Sequence, residues 1–135
     1  MTAPTVDRRT GEVGAHRDLS EIPTPQEIGK MLIWLNRNLR ESAAEIRRLD
    51  EAAARAKVAY VKTHARAFID AQGSMDLRRR LAEVQSADAL LAFELAEVEL
   101  RGAKERIKTL YSQVESTRSL NALARAEAGL AGAFS

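Results

Sequence analysis

No cysteine occurs among the 135 residues, which excludes disulfides and thiolate metal sites together. The two histidines, His16 and His64, are too few for a histidine-rich metal site. Aromatics make up only 4% of the chain, and much of its 45% hydrophobic share is alanine. Alanine buries few methyl groups, and each buried CH₂ contributes only about 0.8 kcal/mol, so one copy has little material for a deep core. Self-association into a homo-oligomer is therefore expected. No run approaches the ~20 apolar residues of a membrane span, and the N-terminus lacks a basic start followed by an apolar stretch. A cytoplasmic, non-membrane protein is expected. Phosphate-binding signatures are missing too: there is neither a G-x-x-x-x-G-K-[ST] loop nor a G-x-G-x-x-G turn.

What is present is helical pattern and charge. From Met1 to about Pro23 the chain is Thr, Pro, Gly and charge without apolar periodicity, which predicts a disordered arm over 1–23, with Arg8, Arg9 and Arg17 on it. Thr24, Pro25 and Glu27 then spell a helix start: a hydroxyl at the N-cap, a proline whose missing N–H costs nothing, and a glutamate placed to reach back. Ile28, Leu32, Leu35, Leu39, Ser42, Ile46, Leu49, Ala53, Ala56, Tyr60, Thr63 and Ala67 follow at alternating spacings of four and three, a heptad stripe. No Gly or Pro interrupts it between Lys30 and Gln72, so one helix of about 45 residues, on the order of 70 Å long, is predicted. Trp34 reads as a packing anchor near its start.

Gln72, Gly73 and Ser74 supply a break, with Gly73 suited to a left-handed cap and Ser74 to the N-cap of a second helix. That helix carries two apolar stripes. One runs through Leu77, Leu81, Val84, Leu91, Leu95 and Val98, the other through Phe93, Ala96, Leu100, Ala103, Ile107, Leu110 and Val114. Two stripes mean two packing faces, one for the first helix and one for another subunit. The oligomer interface is assigned to Phe93, Leu100, Ile107, Leu110 and Val114, continued by Leu120 and Leu123 in the tail. Residues 116–135 read as a short C-terminal helix or extension, weakened near its end by Gly129 and Gly132. The fold class is all-α: a long antiparallel helical hairpin or coiled coil with a short C-terminal helix, spanning 24–135 and oligomerising.

An enzyme needs convergent polar groups in a pocket, and the candidates here do not supply them. Glu94, Glu97, Glu99 and Glu105 lie among Arg101, Lys104, Arg106 and Lys108, a mixture that suits a solvated helix face. No catalytic residue, cofactor or metal is assigned. The charge pattern differs between Glu51 and Asp70, where no acid occurs while Arg55, Lys57, Lys62, His64 and Arg66 do. Arg55, Lys62 and Arg66 are spaced by seven and four and share one side of a helix, with Lys57 on another. An antiparallel hairpin would bring Arg78, Arg79 and Arg80 beside this end, making one basic region near Tyr60 and Phe68, rings of the kind that stack on bases. Tyr60, however, lies on the heptad stripe, where core packing is its expected use. Because the net charge is only +2, attraction for an anionic partner comes from this local clustering. Such a face neutralises a phosphate backbone without reading sequence. Lipid headgroups, an acidic protein or the acids of a neighbouring subunit satisfy the same physics.

Several short segments carry a family likeness: Trp34-Leu35-Asn36, Lys57-Val58-Ala59, Ser86-Ala87-Asp88 and Arg125-Ala126-Glu127-Ala128-Gly129. In their order and approximate spacing over about 100 residues, and in length and hairpin organisation, the chain resembles the small all-helical phage recombination mediators of the UvsY type. That resemblance implies a ring-forming oligomer that binds single-stranded DNA and helps a RecA-like recombinase displace single-strand-binding protein. It also implies DNA-contacting cations late in the first long helix, where this chain has Lys57, Lys62 and Arg66, and assembly through the C-terminal region, around Leu120 and Leu123. The first helix here runs longer before its turn than the family's pattern. The resulting expectation is a non-enzymatic DNA recombination or repair accessory protein that acts as an oligomer. The alternative is a coiled-coil structural or adaptor protein, a virion or assembly component, whose basic face meets acidic protein.

Overall fold

Thr24 and Glu27 close the capping box that their spacing predicts. In the computed structural model, which describes residues 23–133, Thr24 Oγ1 accepts from the Glu27 N–H at 3.3 Å, and Glu27 Oε2 accepts from the Thr24 N–H at 3.0 Å. Two backbone donors that a helix leaves unpaired at its start are thereby satisfied. Helix α1 follows over Pro25–Asp70, 46 residues. Apart from Pro23, the arm expected over 1–23 lies outside the described residues.

The break falls where Gly73 and Ser74 place it. The Ala71 N–H still donates to the Ala67 carbonyl at 3.0 Å, after which Gly73 turns the chain at φ +118°. The backbone angle favours glycine there; a Cβ would stand 2.8 Å from Leu77 Cδ2, the end of an exposed side chain that can turn aside. Ser74 Oγ accepts from the Leu77 N–H at 3.3 Å and caps helix α2, Met75–Ala133, 59 residues. The two helices pack against each other, and the described residues contain no strand. The tail from Ser116 is helical as expected, but it continues α2 rather than forming a short helix of its own. No proline follows Pro25, and the alanine-rich run 122–131 favours helix enough to outweigh Gly129.

The described chain divides into two units, one of residues 34–114 and one of 23–33 with 115–133. In the first, Arg78 lies beside Phe68 and Arg106 beside Glu45, so the helices run antiparallel. Its seam takes Leu35, Ala53 and Ala67 from α1 and Ala82, Ser86, Ala103 and Val114 from α2, all buried. Half-buried Leu39, Ile46, Leu49, Ala56 and Tyr60 flank them. Most of the fully buried groups are small, which lets two helices lie close but leaves little apolar area removed from water. Ser86 satisfies its buried hydroxyl inside its own helix, donating to the Ala82 carbonyl at 2.7 Å. In the second unit Ile28, 1% exposed, is the largest fully buried side chain, with Thr117 and Ala124 also buried.

Three positions differ from the expected pattern. Thr63 is exposed, its Oγ1 donating to the Ala59 carbonyl at 2.8 Å, and His64 is the half-buried residue instead. An α-helix drifts about 20° per heptad against a 3.5-residue repeat, so after several heptads the buried stripe slips by one residue. Trp34 is not a packing anchor: it is 58% exposed. Its backbone carbonyl accepts from Asn38 Nδ2 at 2.8 Å.

Candidate anion-binding face

The last five turns of α1 and the first two of α2 hold most of the cations singled out above. Arg55, Lys57, Lys62 and Arg66 are exposed on α1, and Arg79 and Arg80 are exposed on α2. On a 3.6-residue helix, Arg55, Lys62 and Arg66 project to one side and Lys57 to another. Among the described residues three ion pairs occur: Arg48 with Glu45 at 3.9 Å, Arg106 with Glu45 at 3.7 Å, and Lys108 with Glu105 at 3.1 Å. None of them draws on the basic stretch. Exposed lysine and arginine without a protein counter-charge are held apart by solvent and ions, which a polyanion displaces.

Arg78 does something else. Its Nε and Nη2 donate to the Phe68 carbonyl at 3.3 and 3.1 Å, and its guanidinium carbon stands 4.6 Å from the centre of the Phe68 ring. The last turn of α1 carries no basic residue of its own. The final carbonyls of a helix lack intrahelical partners and carry its negative dipole end, so Arg78 closes α1 from across the turn. It is half-buried and committed, and stands apart from the exposed cations. Chain spacing carried a signal for this: an arginine a few residues past a Gly-Ser break faces the end of the preceding helix.

The rings near the cations are likewise occupied. Tyr60 lies half-buried on the seam with its ring centre 6.0 Å from that of His64, tilted by 56°, and Phe68 lies half-buried beneath Arg78. A shallow open groove runs along the same end, lined by His64, Ala65, Phe68, Ile69, Arg79 and Glu83. Glu83 gives this groove an acid beside Arg79, whereas the Arg55, Lys62 and Arg66 side has none on its own helix between Glu51 and Asp70. Among the described residues no group of three or more His, Asp or Glu side chains is gathered to hold a metal ion, and no helix is long and apolar enough to cross a membrane.

Five of the seven residues assigned to a subunit interface, Phe93 to Val114, fall on the packed side of α2. Phe93, Leu100, Ile107 and Leu110 are half-buried and Val114 buried within the chain itself; Leu120 is half-buried and Leu123 exposed. The face left open is the other stripe, Leu77, Leu81, Val84, Leu91, Leu95 and Val98. The packed stripe sets small residues at its buried positions, Ala82, Ser86 and Ala103, with Phe93, Leu100 and Ile107 half-buried beside them. No family model, curated sequence or solved structure matches the chain.

Proposed function

We propose that this protein is a non-enzymatic, oligomeric accessory factor that holds single-stranded DNA along the α1 face formed by Arg55, Lys62 and Arg66. The observation that carries the reading is their arrangement. Three exposed cations share one helix side, no acid lies on that helix between Glu51 and Asp70, and no described ion pair uses them. Contact is with phosphates, because Tyr60 and Phe68 are engaged in packing, so binding is independent of base sequence. Exposed Lys57 and Arg79 flank the site, and Arg78 stays outside it as the cap of α1. Repetition of this modest face on an oligomer raises its effective concentration for one strand. The role in recombination, with a RecA-like recombinase and single-strand-binding protein as partners, rests on the resemblance to UvsY-type mediators.

The test is fluorescence anisotropy of labelled single-stranded and double-stranded DNA over a salt series. For single strands the slope of log affinity against log salt is about −0.7 per phosphate neutralised, so three cations per chain give about −2 and an affinity loss near 20-fold between 50 and 200 mM salt. Salt-sensitive preference for the single strand supports the reading. No binding to either DNA, together with retained self-association, leaves the basic face to an acidic protein and favours the adaptor.

A further inference from the structure

The exposed stripe of α2 has a repeat that selects its occupant. Leu77, Leu81, Val84, Asp88, Leu91, Leu95 and Val98 alternate spacings of four and three, and each apolar member is exposed, from 38% at Leu81 to 74% at Val84. The pattern stops on both sides, with Ser74 before it and Gly102 and Glu105 after it. Three heptads of open a and d positions, about 33 Å of helix, fit another helix with the same 3.5-residue period. Helix α1 has no comparable outward heptad run: its exposed Met31, Ile33 and Trp34 lie together within its first turns, and Val58, Val61 and Ile69 are interleaved with Lys62 and Arg66.

The flanking charges identify the partner and its direction. With Leu81, Asp88 and Leu95 at a and Leu77, Val84, Leu91 and Val98 at d, Arg80, Ala87 and Glu94 occupy g, and Arg78, Gln85, Ala92 and Glu99 occupy e, Arg78 being held at the end of α1. Side by side in parallel, two copies would bury Asp88 against Asp88 and set Glu94 beside Glu99, like charges on like. In the antiparallel direction, Leu77 layers with Leu95, Leu81 with Leu91 and Val84 with Asp88 of the second copy. Arg80 then falls beside Glu94 of the second copy, and symmetry repeats the pair. We infer that α2 docks antiparallel on α2 of a second copy of this chain, about a two-fold axis level with Ser86. The interface is isologous, the same patch on both copies. Arg80 belongs to this seam rather than to the anion-binding face. Because Phe68 lies beside Arg78 in the antiparallel hairpin, Lys62 of each copy comes to about the height of the axis.

The dimer stands or falls without DNA, so its test is separate from that of the nucleic-acid reading. Molecular mass is followed by sedimentation equilibrium over a dilution series, with no DNA present. Arg80→Glu and Glu94→Arg alone each weaken dimerisation about tenfold by turning two reciprocal attractions into repulsions, and the double variant recovers it. Both side chains are exposed, so helicity by circular dichroism stays unchanged. The chain has no cysteine, and this makes direction readable by oxidation. Leu77→Cys with Leu95→Cys cross-links two copies, while Leu77→Cys alone does not. A monomer at every concentration, a double charge swap that fails to recover, or cross-linking by Leu77→Cys alone overturns the inference.

Discussion

Replacing Arg78 with methionine separates a structural cation from those proposed to contact DNA. Methionine keeps the aliphatic length against Phe68 but removes both donors to the Phe68 carbonyl, held at 3.1 and 3.3 Å, and the charge 4.6 Å from the ring. A hydrogen bond from a charged group contributes about 1.5–3 kcal/mol, and a partly exposed cation–π contact about 0.5–1 kcal/mol. Arg78 is half-buried, so water takes over part of both, and we expect a loss of about 1.5 kcal/mol. For a domain of this size that lowers Tm by about 6 °C, read by circular dichroism at fixed protein concentration because self-association also moves Tm. Arg78→Lys keeps the charge but not the planar fork, and recovers only part of the loss. The salt dependence of DNA binding stays unchanged in Arg78→Met. Unchanged stability, or a shallower salt slope, would refute the assignment of Arg78 as the cap of α1.

Other substitutions probe the elements that place the site. Gly73→Ala meets φ +118° and the Leu77 side chain, and should lower the urea midpoint by an amount equivalent to about 1–2 kcal/mol. Ala82→Leu adds volume at a position with no exposure, so overpacking should lower stability by about 1–3 kcal/mol in the same denaturation assay. Thr24→Ala removes one half of the capping box and should lower stability by about 1 kcal/mol, with faster amide exchange confined to the first turn of α1.

Features set by near neighbours in the chain were legible in the sequence. Thr24, Pro25 and Glu27 start α1, and Gly73 and Ser74 end it, because a cap or a positive φ is decided within a few residues. The α1 stripe was legible through Tyr60 and failed at Thr63, where the accumulated difference between 3.5 and 3.6 residues per turn puts His64 at the seam. Choosing between the α2 stripes needed the partner helix. Ala82 and Ser86 look unremarkable along the chain and stand out as buried positions only once α1 lies against them. Arg55, Lys62 and Arg66 were legible as one helix side from their spacing. Arg78 was grouped with Arg79 and Arg80, because three consecutive arginines read as one charge until the turn aims the first at Phe68.

The central claim is that Arg55, Lys62 and Arg66 neutralise DNA phosphates, and Lys62→Gln with Arg66→Gln tests it most directly. The variant removes two of three contacts per chain and leaves the buried seam untouched. The slope of log affinity against log salt for single-stranded DNA should fall to about one third of the parent value, whatever the number of chains on the strand, since the slope is proportional to the phosphates neutralised. A parent slope near zero, or a variant slope equal to the parent's in a protein of unchanged helicity and mass, would contradict the account.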